Sequence, residues 1–254
     1  MTDVLRAHGL VKDYRRGRAV DDITLTVRAG ERVALLGPNG AGKTTTLLMC
    51  LGVVQPDAGW VEIMGRRMPK KRSSAMEQVG FAAGYLPLPD RLRVCEYLRL
   101  FADLYALADP QTAAAEALDR FAIGHLSRAM GTELSSGQKT LIGIAKATMH
   151  RPSLLVLDEP TASLDPDVAL RVRTGLSALC ADAGTALLIT SHNMVEVERL
   201  CERVVFLSAG KIVADGTPDD VAALFGRGDL EEVFIHLADE RSALAAADGG
   251  KAVQ

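Results

Sequence analysis

Gly37-Pro38-Asn39-Gly40-Ala41-Gly42-Lys43-Thr44 follows an apolar run at residues 33–36 and opens a stretch of helical character over 42–51. The octapeptide satisfies G-x-x-x-x-G-K-[ST] at every fixed position, in the strand–loop–helix setting that motif needs. Its glycines let backbone N–H groups turn inward around phosphate oxygens, where a side chain would block the approach. A helix beginning at the same place adds partial positive charge. On this reading Gly37, Pro38, Asn39, Gly40, Ala41 and Gly42 cradle phosphates, and Thr45 completes the contact set. Lys43 neutralises the β- and γ-phosphates during the reaction, and the Thr44 hydroxyl is a ligand for Mg²⁺.

Working outward, Leu154-Leu155-Val156-Leu157-Asp158-Glu159 is the second signal. A buried strand here delivers two adjacent carboxylates to its carboxyl end, where open α/β sheets bind their ligands. Asp158 is read as the metal carboxylate and Glu159 as the general base for an attacking water.

Composition narrows the classes. The 254 residues are 48% apolar, enough to bury a core without disulfides or metals. With 29 basic against 32 acidic residues the net charge is -3, which argues against a general affinity for nucleic acid. Cys50, Cys95, Cys180 and Cys201 are far apart with no C-x-x-C pair, the pattern of reduced thiols in a cytosolic protein. No uncharged run reaches the roughly 20 residues a membrane helix needs, so the expectation is a soluble chain held at a membrane only through a partner.

Periodicity gives the organisation. Residues 23–27 alternate, 29–30 turn and 32–36 are apolar, which predicts a hairpin feeding a buried strand. Residues 59–63 predict a short strand, and the basic cluster at 66–72 a solvated loop. Val94, Tyr97, Leu98, Phe101, Leu104 and Tyr105 recur at helical spacing, the Ala-rich stretch 112–121 follows, and a further helix begins after Ser136. Residues 90–150 therefore read as a helical lobe. Buried strands at 154–157 and 185–189, alternating with helices, imply a mostly parallel sheet covered on both faces. Residues 203–207 and 211–214 flank a hairpin turn. Residues 1–237 read as one domain and 238–254 as a flexible tail. His8, His125, His150 and His236 read as structural.

These elements, in this order, make the chain similar to the nucleotide-binding subunit of ABC-type transporters over roughly residues 4–235. Leu134-Ser135-Ser136-Gly137-Gln138 resembles that family's signature, with serine in place of the first glycine. Residues 160–166, with Ser163, Leu164 and Asp165 at their centre, resemble its D-loop. His192 matches the switch histidine, and Tyr14 the aromatic residue that stacks on adenine. Residues 229–234 resemble the closing segment of a subgroup of drug, polysaccharide or ion exporters. The resemblance implies a P-loop ATPase fold with a parallel core sheet, an antiparallel β subdomain and the helical lobe. It also implies ATP and Mg²⁺ as cofactors, a transmembrane permease as partner, and a second ATP-binding subunit packed head to tail. In that dimer Ser135, Gly137 and Gln138 would engage the other copy's γ-phosphate, and His192 would hold the water together with Glu159. The chain would sit on the cytoplasmic face of the membrane through its permease, near 81–105.

One departure stands out. Residues 84–87 resemble the family's glutamine loop, yet Leu88 stands where the glutamine belongs, and leucine can neither bind Mg²⁺ nor hydrogen-bond water. Two other classes stay open at this stage. One is a soluble ATPase acting on a macromolecule; the other is a nucleotide-gated regulatory module with little turnover.

Overall fold

The computed structural model describes residues 2–15, 17–84, 88–161 and 164–249, the last ten by backbone alone. The first half runs β1 (Asp3–Tyr14), β2 (Gly17–Arg28), β3 (Arg32–Leu36), α1 (Lys43–Cys50), β4 (Ala58–Ile63), β5 (Arg66–Arg67), α2 (Arg72–Met76) and β6 (Val79–Ala83). Then come α3 (Val94–Leu104), α4 (Pro110–Arg120), α5 (Ser136–Thr148), β7 (Leu154–Asp158) and α6 (Pro166–Ala183). The chain continues with β8 (Ala186–Thr190), α7 (Met194–Leu200), β9 (Arg203–Ser208), β10 (Lys211–Gly216), α8 (Pro218–Leu224) and α9 (Leu230–Gly249).

Six strands form one sheet in the order β10-β9-β3-β8-β7-β6, with β10 antiparallel to β9 and the other neighbours parallel. Successive residues of the central strands enter two different cores. Ala34, Leu36, Leu155, Leu157, Leu187 and Ile189 pack toward the helical lobe. Val33, Leu35, Leu154, Val156, Ala186 and Leu188 pack toward α1 and the second sheet. Burial on both faces is why these strands read as unbroken apolar runs.

The second sheet is antiparallel, in the order β2-β1-β4-β5. It corrects the expected hairpin. Residues 23–27 belong to β2, which pairs with β1, whereas β3 crosses into the parallel sheet between β8 and β9. The turn is real, with Glu31 N donating to Arg28 O at 3.0 Å. The same turn serves a chain leaving one sheet for another. The basic cluster is likewise not one loop, because Arg66–Arg67 form β5 and Arg72 begins α2.

Helices α3, α4 and α5 make the helical lobe. Val94, Tyr97 and Leu98 are buried as their spacing predicts, Phe101 and Tyr105 are half-buried, and Leu104 is 70% exposed. The lobe meets the core sheet at β6, where the backbones nearly touch: a Cβ on Gly80 would lie 2.1 Å from Ala147 O. Lys146 Nζ donates to Phe81 O and His150 Nε2 to Val79 O, each at 3.2 Å. Burial pushes the pKa of both side chains down.

The four cysteines are free, and Cys50, Cys180 and Cys201 are buried. Backbone from 238 to Gly249 continues α9 where a tail was expected, and 250–254 lie outside the described residues. Among the described residues no helix is long and apolar enough to cross a membrane.

Candidate active site

Strand β3 ends at Leu36 and hands the chain to the phosphate loop. Gly37 adopts φ 138°, and a Cβ there would lie 2.1 Å from Leu207 O, so only glycine lets the loop lie against β9. Gly42, at φ 105°, occupies the N-cap of α1, and a Cβ there would lie 2.5 Å from Ala19 O of β2. No side chain caps this helix and no acid occupies its first turn, so its partial positive charge faces the loop uncompensated.

A cleft of about 350 Å³ opens there, lined by Asn39, Gly40, Gly42, Lys43, Thr44, Thr45, Asp158 and Glu159. The loop and the acids of residues 158–159 are thus brought together. Gly37, Pro38 and Ala41 are buried beneath the loop rather than on its surface. Lys43 Nζ donates to Gly37 O at 2.6 Å and Pro38 O at 3.3 Å.

Across the cleft, β7 and β8 are in register, with Asp158 opposite Thr190. Asp158 is 6% exposed, and its Oδ1 accepts from the Thr190 hydroxyl at 2.5 Å. The chain turns at Glu159 in a left-handed conformation, φ 53°, with its N–H donating to Thr190 O at 3.2 Å and Thr190 Oγ1 at 3.0 Å. The Glu159 carboxylate leaves the strand and accepts from His192 Nδ1 at 2.7 Å. The acids, the histidine and the loop therefore form one group. Thr190 joins it as the last residue of β8, although the sequence places it just past the strand expected at 185–189 and gives it no role.

Other expected site residues lie apart from the cleft. Tyr14 ends β1 at the hairpin tip, the residue 47% exposed and Lys12 Nζ 5.7 Å from its ring centre. Ser135 is the N-cap of α5: its Oγ accepts from Gln138 N at 3.2 Å while Gln138 Oε1 accepts from Ser135 N at 2.9 Å. Gly137 faces the start of α6, and a Cβ on it would lie 3.3 Å from Leu164 Cδ2. Ser163 and residues 85–87 lie outside the described residues. Leu88 is buried and lines a separate cavity of about 220 Å³ with Tyr97, Phe101, Gly143 and Lys146.

The family model for ABC transporters matches residues 20–162, which span the phosphate loop, the α5 N-cap and the two acids. The chain belongs to the ABC transporter family. It is 38% identical to the lipopolysaccharide export system ATP-binding protein LptB of Escherichia coli (strain K12) over 224 residues, 85% of this chain and 92% of that protein. It is 34% identical to the Nod factor export ATP-binding protein I of Cupriavidus metallidurans, over 92% of this chain and 78% of that protein. Among solved structures, an ATP-binding subunit of an ABC transporter superposes with a TM-score of 0.84 at 29% identity, covering 92% of this chain and 99% of that one. This chain is accordingly an ATP-binding, ATP-hydrolysing subunit that powers a separate permease, and it carries the ABC ATPase fold. Those findings leave the soluble-factor and regulatory readings without support.

Proposed function

We propose that two copies of this subunit close head to tail on ATP, each hydrolysing it with Mg²⁺ in a site completed by the other. The observation that carries this reading is spatial. The loop, Asp158 and Glu159 share one cleft, with His192 hydrogen-bonded to Glu159, while Ser135, Gly137 and Gln138 occupy the end of a helix in the other lobe.

Residue chemistry follows from the geometry. Loop N–H groups, the α1 N-terminus and Lys43 bind and orient the phosphates. Tyr14, at an exposed hairpin tip, stacks on the base. Thr44 and Asp158 both line the cleft and would supply hard oxygen donors, a set that fits Mg²⁺, which keeps several waters and takes few protein ligands. Bound there, Mg²⁺ supplies charge neutralisation to the phosphates. Glu159 accepts a proton from the water whose oxygen bonds to the γ-phosphorus, as the bond to the β-bridging oxygen breaks and ADP leaves. His192 holds that carboxylate through its Nδ1 hydrogen bond.

The permease meets the helical lobe near residues 81–105. Leu100 and Leu104 are exposed there, and the cavity beside Leu88 opens on the same region. The subunit sits at the cytoplasmic face through this contact. Its cargo belongs with the export class, in keeping with residues 229–234 and with the names of the two relatives.

Glu159→Gln tests the proposal. ATP binding should persist while phosphate release falls by about 10²–10⁴-fold, the usual contribution of a general base. With saturating Mg-ATP the variant should accumulate as a dimer in size-exclusion chromatography with light scattering. A variant that stays monomeric, or hydrolyses at the wild-type rate, refutes the two-copy site.

A further inference from the structure

We infer that Thr190 is a positioning residue for hydrolysis, its single hydroxyl setting Asp158 toward Mg²⁺ and Glu159 toward the attacking water. The inference rests on the proposed roles of those two carboxylates.

Three observations carry it. Thr190 is fully buried at the end of β8, directly opposite Asp158 in the parallel register. Its hydroxyl donates to Asp158 Oδ1 at 2.5 Å and accepts from Glu159 N at 3.0 Å. A hydroxyl has one hydrogen to give, and that single donation goes to Asp158 while the oxygen accepts from Glu159, the next member of the site. Glu159 holds φ 53°, a conformation that a non-glycine residue keeps only when its surroundings over-determine it. The paired acceptors of Thr190, Oγ1 and O, provide that determination.

The consequences differ for the two acids. With Oδ1 held by Thr190, the Asp158 carboxylate is fixed about its last torsion and presents its other oxygen to a cation. A nearly buried carboxylate without that donor would be free to rotate away from the cleft. Glu159, one residue on, turns out of the strand with its N–H shared between the same hydroxyl and the Thr190 carbonyl, so removing the hydroxyl leaves only the longer of the two bonds. A valine has the same shape and neither bond. A merely structural threonine would affect stability, whereas this one should affect the Mg²⁺ requirement. Groups that orient metal ligands in this way typically govern affinity or activity by about 10- to 100-fold.

Thr190→Val, Thr190→Ser and Asp158→Asn in the full chain test the inference. Binding of a fluorescent ATP analogue is titrated with Mg²⁺, beside steady-state phosphate release and a circular dichroism melt. Thr190→Val should bind the analogue like wild type without Mg²⁺, and should need about 10- to 100-fold more Mg²⁺ for half-maximal Mg²⁺-dependent binding, with kcat reduced over a similar range. Thr190→Ser keeps the hydroxyl and should recover both. Should Thr190→Val not fold, Thr190→Ala takes its place with the same expectation. Wild-type Mg²⁺ dependence and kcat in the valine variant overturn the inference, as does a serine variant that is equally impaired. Asp158→Asn separates the layers. If it shifts the Mg²⁺ dependence and Thr190→Val does not, the role of Thr190 alone falls. If Asp158→Asn shifts nothing, the metal role of Asp158 falls and this inference with it.

Discussion

Two helices of this subunit begin at residues that meet nucleotide phosphate in the proposed dimer, and they begin differently. Helix α1 starts at Gly42, which has no side chain to cap it, and no acid stands in its first turn. Helix α5 starts at Ser135, tied to Gln138 by reciprocal hydrogen bonds of 3.2 and 2.9 Å. The first end leaves its N–H groups to the phosphates and forgoes the roughly 1 kcal/mol that a capping side chain contributes. The second is satisfied within its own chain and must share donors when a phosphate arrives. On the proposed dimer the contrast would separate two tasks: the open end would grip nucleotide in a lone subunit, and the capped end would take part only once another copy is in contact.

The largest effect should come from stripping the open end of its charge. Lys43→Ala is expected to weaken ATP binding by roughly 10- to 100-fold, the worth of a hydrogen bond to a charged group, as read by calorimetric titration of the isolated subunit. Unchanged affinity would break the contrast at its first term. Ser135→Ala should leave that titration alone. It should lower thermal stability by about 1 kcal/mol through the lost cap and slow phosphate release at concentrations where dimers form. Weaker ATP binding by the lone Ser135→Ala subunit would show that the capped end is not confined to the dimer. The smallest effect sharpens the picture of α1 itself. Thr46 Oγ1 is buried without a hydrogen-bond partner among the described residues. Thr46→Val should therefore be neutral or stabilising by up to about 1 kcal/mol in denaturant unfolding, with ATP affinity kept. A loss of affinity would show that this hydroxyl serves the loop.

The chemistry was legible in the sequence wherever local spacing encodes it. The octapeptide at Gly37 and the acids at the end of β7 each fix their own geometry within a few residues, whereas the Ser135–Gln138 cap emerged only in the structure. What escaped was non-local. Nothing near residues 32–36 says that β3 pairs with β8 and β9 rather than folding back on β2, because parallel partners are set by the packing of distant segments. The turn at Arg28–Glu31 is compatible with either path. Thr190 escaped for the same reason, since its hydroxyl matters only through a register with a strand more than thirty positions earlier. Leu88 was legible as a departure, and its burial beside Tyr97 and Phe101 shows a side chain absorbed into the helical lobe. Leu104 read as part of that lobe's apolar stripe and instead faces outward.

The alternation of the central strands between two cores has a bearing on reactivity. Asp158 shares parity with Leu154 and Val156, and Thr190 with Ala186 and Leu188, on the side where α1 packs. Shifting β7 by one residue would turn its carboxylate toward the opposite layer and force each leucine of the strand into the wrong compartment. Catalytic alignment is in this way guarded by oily contacts remote from any ligand, and a mutation that loosens those layers could silence the enzyme without touching a reactive atom.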